Sequence, residues 1–129
     1  MKSLIYFFLF FPTLLVAQWT QIGPDIYGDT GDGFGPNYIT MNSQGNRVAV
    51  AAVFSDVGAP NAGQVKVYEF IANEWIQIGS NIQGNVYASE RFGASVSFSS
   101  DGNTLAIGIL ESGVGEGRAA VYEFDGSNW

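Results

Sequence analysis

Twelve carboxylates, five cations, six tyrosines and neither histidine nor cysteine form the reactive inventory of this 129-residue chain. Lack of histidine removes the commonest general base and the Ser-His-Asp and Cys-His nucleophile arrangements, and with cysteine also missing there is no His/Cys zinc or haem site. Nor can a disulfide framework compensate for a small core. Catalysis would have to rest on carboxylates, Lys66, arginine or tyrosine. The carboxylates best set for it are Glu69 and Glu123, each held between aromatic residues in Tyr68-Glu69-Phe70 and Tyr122-Glu123-Phe124. A pair of glutamates can serve as the acid and base of a glycosidase. These two stand at equivalent positions of separate units, and stacked sheets lie about 10 Å or more apart. Strand pairing is the plainer account of them.

Asp29-Thr30-Gly31-Asp32-Gly33 alternates carboxylates with glycines, as the loop of a hard cation such as calcium does. The corresponding stretch further on, Tyr87-Ala88-Ser89-Glu90-Arg91, carries an arginine that would oppose a cation, so a flexible acidic surface loop is expected. Trp19, Trp75 and Trp129 recur at one repeat position. Exposed, they would form a platform for carbohydrate; recurrence favours packing at the start of a strand. Lys66, Arg47, Arg91 and Arg118 are scattered and make no basic patch. Glycine-rich Gly113-Val114-Gly115-Glu116-Gly117 lacks the strand-to-helix context and the lysine of a phosphate loop. No residue is assigned to catalysis, to a metal or to a cofactor.

The elements that carry these residues come in two copies. Trp19-Thr20-Gln21-Ile22-Gly23, Phe34-Gly35, Gly45-Asn46, Val48-Ala49-Val50-Ala51 and Val67-Tyr68-Glu69-Phe70 recur in the same order. Their counterparts are Trp75-Ile76-Gln77-Ile78-Gly79, Phe92-Gly93, Gly102-Asn103, Leu105-Ala106-Ile107-Gly108 and Val121-Tyr122-Glu123-Phe124, at offsets of 54 to 58 residues. Drift of that size is what loop insertions between fixed strands produce, and a period of this length points to propellers or solenoids.

Helical periodicity is absent after residue 17. Short apolar or alternating runs broken by Gly, Asp, Asn and Ser predict strands at 19–23, 36–42, 47–54, 64–71, 75–79, 92–99, 104–110 and 117–124. Asp101-Gly102 reads as a type I′ hairpin turn, with Gln44-Gly45 its weaker counterpart. An extra residue in the first copy, near Pro36, predicts a bulge or an edge there. Val48–Phe54 and Leu105–Leu110 contain no polar residue, which predicts burial on both faces. Their faces are unequal: Leu105, Ile107 and Ile109 against Ala106 and Gly108, and Val48 and Val50 against Ala49 and Ala51. A sheet with one bulky and one shallow face packs best on a copy of itself, bulk into hollow.

These motifs, in this order, resemble the FG-GAP type of repeat, the β-propeller blade of integrin α chains, and especially long tandem arrays of secreted bacterial proteins. The resemblance covers residues 18–129. It implies an all-β fold of two antiparallel four-stranded blades of a β-propeller-type array, incomplete as a ring, since propellers have four to eight blades. The chain is then either a fragment of a longer array or one of several chains sharing a ring. The integrin-type calcium loop belongs in the hairpin after the Phe-Gly strand; here that hairpin is short and poor in carboxylates.

Met1-Lys2, the apolar run Leu4–Val16 broken by Pro12, and Ala17 read as a signal peptide cleaved before Gln18, too short for the ~20 residues of a spanning helix. The expected organisation is 1–17 signal peptide, 18–74 first repeat and 75–129 second repeat. Loss of Lys2 shifts the net charge from −7 to −8, four cations against twelve carboxylates. That balance argues against nucleic acid and anionic lipid as partners. The expectation is a secreted or cell-surface, non-catalytic module that binds protein or glycan through its loops and associates with further blades or itself. A structural remnant without activity and a carboxylate-dependent glycoside-processing domain are the other readings.

Overall fold

The computed structural model describes residues 18–84, 89–110 and 116–129. The signal-peptide expectation, Tyr87-Ala88 and most of the 113–117 loop lie outside the described residues. The described chain is all-β, with no helix, in two antiparallel sheets. Strands β1 (Phe34–Met41), β2 (Arg47–Ala52), β3 (Gln64–Ile71) and β4 (Glu74–Gln77) form the first in sequence order, and β5 (Ile82–Gln83) also pairs with β3. Strands β6 (Phe92–Phe98), β7 (Thr104–Ile109) and β8 (Arg118–Glu123) form the second.

The sheets are therefore five-stranded and three-stranded among the described residues, not four-stranded each, and they close no ring. Two local facts account for the difference. Residues 19–23 form no strand, and Ile82–Gln83 reaches back to Gln64 and Val65 as an extra short one. Sheet and sequence repeat are also out of phase. The box that opens the second repeat supplies β4, whose Trp75 pairs across with Phe70 of β3.

The sheets meet as their unequal faces dictate. Ala49, Ala51, Val65 and Val67 of the first form one buried cluster with Phe92, Leu105, Ile107 and Ile109 of the second. Small side chains let the backbones approach, and the large ones fill the hollow. At the closest point Gly93, with φ 94°, lies so near that a Cβ there would stand 2.5 Å from the Ala51 Cβ. Only glycine fits, which explains the glycine of the second Phe-Gly pair. Each fully buried Leu or Ile adds about 1.5–3 kcal/mol.

Burial on both faces holds for β2 but not for β7. Val48 and Val50, on the reverse face of β2, are 2% exposed beneath the segment that carries Ile22 and Ile26. On the reverse face of β7, Ala106 is exposed and Gly108 half-buried, because no described element covers them.

Both Phe-Gly strands are irregular. From Phe34 to Ile39 β1 takes five steps against the two from Ala52 to Val50, and from Phe92 to Ser95 β6 takes three against the one from Ile109 to Gly108. The first bulge thus holds one residue more than the second, and β1 lies at a sheet edge.

The hairpin turns differ from the type I′ reading. Gly102 N–H donates to Ser99 C=O (3.0 Å) and Gly45 N–H to Asn42 C=O (3.1 Å), with Gly102 and Gly45 left-handed and Asp101 and Gln44 not. This is a tight turn closed by a left-handed glycine. Side chains complete it: the buried Asn42 carbonyl accepts from the Asn46 and Arg47 N–H groups, and Ser99 Oγ accepts from Thr104 N–H. The type I′ geometry occurs instead between β3 and β4, where Ala72 (φ 50°) and Asn73 (φ 70°) are both left-handed. Alanine there is strained, since this conformation costs an L-residue about 1–2 kcal/mol. Ala72→Gly is expected to raise stability by about 1 kcal/mol in urea unfolding, whereas Ala72→Val lowers it.

Candidate functional site

The long connections gather at one end of both sheets and the tight hairpins at the other. At the hairpin end the charged groups are engaged in structure. Arg47 Nε bonds Glu69 Oε1 at 3.0 Å, and its Nη1 donates to Gly102 C=O (3.1 Å) and Asn103 Oδ1 (2.6 Å) of the second sheet. The guanidinium also lies 5.2 Å from the centre of the Phe124 ring. Ser43 adds two bonds to Ser100 C=O, one from its N–H and one from its hydroxyl. One arginine thus fastens the hairpins of the two sheets, a role that its place in the sequence does not reveal.

Glu69 is therefore paired, and Glu123 lies on the other sheet at a register position facing Thr104. Asp101, in the hairpin between β6 and β7, accepts from the Ser99 hydroxyl and then from the Asn103 backbone and side-chain N–H groups, which hold its carboxyl below the usual 3.8. A lowered folded value contributes stability above the unfolded value, and that contribution is lost as pH falls through the folded value. In a carboxyl-carbon NMR titration, Asp101 is expected to titrate below 3.8 and to move up toward it in Ser99→Ala.

The loop end holds the other charged groups. Asp29 lies 3.2 Å from the Lys66 ammonium, and Asp32 accepts from Gln64 Nε2 at 3.3 Å. Buried Gln64 in turn accepts from Asn81 Nδ2 (2.7 Å). The Asp29–Gly33 carboxylates are thus spoken for by a cation and an amide, and no group of three metal-ligating side chains occurs among the described residues.

The tryptophans part company. Trp75 packs on Phe70 (5.0 Å between rings), and its indole N–H donates to Ile22 C=O. Trp129 packs on Phe124 (5.1 Å) and Phe98 (6.0 Å). Trp19 stands 99% exposed, because its box forms no strand to place it. The glutamines of the Trp boxes, silent at first reading, act alike. Gln21 bonds Gly23 C=O and Asp25, and Gln77 bonds Gly79 C=O and Asn81, bracing the glycine turn beneath each following tryptophan.

Glu90 is the least expected residue. It is 1% exposed, next to the Phe-Gly pair, and its carboxylate is in contact with the Arg118 guanidinium. A buried charge that loses its partner is strongly destabilising, by about 3–5 kcal/mol. Arg118→Ala is expected to cost about 3 kcal/mol in chemical unfolding, and adding Glu90→Gln to recover most of it. Full additivity of the two changes would show that the pair is not coupled.

Around these anchors the loop end is tied by backbone bonds from Ser89 to Pro60 C=O, Arg91 to Asn61 C=O and Phe54 to Asp32 C=O. It still exposes Phe54 (43%), Val57 (38%) and Leu110 (55%), with Arg91 5.7 Å over the Phe54 ring. A second apolar feature lies away from it, a groove of about 400 Å³ between the Ile22–Ile26 segment and the reverse face of the first sheet.

No family model matches the chain, and no curated protein and no solved structure is similar to it.

Proposed function

We propose that the protein is a non-catalytic binding module of propeller-blade type, acting outside the cell, whose loop end receives a protein or glycan ligand. The observation that supports this reading is the division between the two ends. Tight hairpins interlocked through Arg47 make one end rigid. The other presents Phe54, Val57, Leu110 and Arg91 on loops braced by backbone hydrogen bonds. Aromatic and arginine side chains on a rigid scaffold are the usual anchors of recognition, and loops carried by a fixed sheet their usual site. The non-catalytic part of the reading is supported by the chemistry of the carboxylates. Glu69, Glu90 and Asp29 are each engaged by a cation of the same chain.

The test is binding of the purified protein to a glycan array and to a displayed peptide library. Ligands are expected from one of the two, with affinity falling at least tenfold in Phe54→Ala/Arg91→Ala and unchanged in Gln44→Ala at the hairpin end. Ligands indifferent to Phe54 and Arg91 but sensitive to Gln44 would move the site to the other end and refute the proposal.

A further inference from the structure

Among the described residues each sheet has one face on which no other sheet packs: that of the second is bare over Ala106, and that of the first is covered over Val48 and Val50 by the Ile22–Ile26 segment but open at Ile39 and Met41. The interface between the sheets shows what each of those faces fits. In the first sheet, Thr40, Ala49 and Val67 share one register row, and Ala51 pairs with Val65 in the next. That shallow face receives Phe92, Leu105, Ile107 and Ile109. In the second sheet the same rows read Ser97, Ala106 and Val121, then Ser95, Gly108 and Ala119. They face away from the first sheet, with Ala106 exposed and Val121 68% exposed. Conversely, Ile39, Met41, Val48 and Val50 stand where the second sheet has Val96, Phe98, Leu105 and Ile107. Ile39 and Met41 are 58% and 52% exposed.

We infer that a second copy of this chain docks here, the open Ile39 and Met41 of one copy, together with the Ile22–Ile26 segment that already covers its Val48 and Val50, seating on the Ala106/Gly108/Val121 face of the next. The contact is head-to-tail, repeating between molecules what the two sheets do within one.

A second, independent observation points the same way. Within the chain, Ile78 and Ile82 fill the junction between the sheets, and Ile82–Gln83 pairs with Val65 and Gln64. Their repeat equivalents, Ile22 and Ile26, already lie along the open face of the first sheet. Ile22 is 62% exposed, and the groove beside it is about 400 Å³. The equivalent pairing would set Ile26 and Tyr27 against Ala119 and Arg118 of the second copy, where β8 is the sheet edge. Close approach is also permitted. Gly93 needs the small Ala51 opposite it; its equivalent, Gly35 (φ 92°), would meet the still smaller Gly108.

Elsewhere the charged groups are already matched within the chain, Asp29 by Lys66 and Glu90 by Arg118. Lys66, on the Ile39/Val50 face, carries its own counter-ion in Asp29, whereas Glu123, in line with Ala119 and Val121 on the other face, stands opposite Thr104 in register. Thr104 replaces Arg47 at the hairpin latch, and both copies are acidic. The intermolecular contact is therefore weaker than the internal one, and it strengthens as salt screens the like charges.

The test is sedimentation velocity of the purified protein over a concentration series. The mass is expected to rise above that of one chain between about 1 and 100 µM. Met41→Glu blocks one face and Ala106→Arg the other, so each variant alone is expected to remain a single chain. Mixed in equal amounts, they are expected to form a dimer and stop, because each retains the complementary face. Should circular dichroism show either variant unfolded, Ile39→Glu and Val121→Arg, both at exposed positions, replace them. Wild-type protein that stays a single chain throughout, a variant that assembles alone, or a mixture that does not pair would each overturn the inference.

Discussion

Everything in this molecule depends on how closely two backbones can approach at Gly93 and Ala51. The second sheet presents Leu, Ile and Phe side chains, and the first must be shallow where it meets them. Alanines at 49 and 51 make it so, and the glycine of the Phe-Gly pair removes the last Cβ that would hold the strands apart. A methyl group at that glycine would separate the sheets along the length of β6. The constraint is steric, and it acts at one point while the buried apolar cluster that it secures is spread over five strands.

The polar parts of the fold are arranged around that contact. Without disulfides, register between the sheets is held by directed bonds at both ends. Arg47 and Ser43 reach across at the hairpins, while Phe92, Arg91 and Ser89 donate to the 60–62 backbone at the loops. Buried Glu90 and its exposed partner Arg118 sit beside this second set and join the approach to β6 with the start of β8. Most of the cations in residues 18–129 are thus spent on internal architecture, which leaves the surface acidic.

Much of this was legible in the residue pattern. Seven of the eight strand segments expected from alternation formed, because side-chain periodicity reports which face is buried. The unequal faces of 48–51 and 105–108 foretold which side would meet which. What the pattern could not supply was partnership. The apolar run at 105–110 looks buried on both sides, since hydropathy records what a residue tolerates and not what covers it. Turn geometry escaped for a related reason. Asp-Gly suits two hairpin types, and the positive φ of Ala72 arises from strand register, against the residue's own preference. Arg47, Glu90 and Gln64 were invisible as a group, because their partners lie far off in the chain.

The phase difference between repeat and sheet bears on how the chain comes apart. Residues 74–83 hydrogen-bond to β3 through β4 and β5 while their Ile78 and Ile82 side chains lie among those of the second sheet. That stretch is a splice common to both halves. Tension applied to either half is handed to the other through it, so neither can melt as an independent foldon, and the two yield in one event.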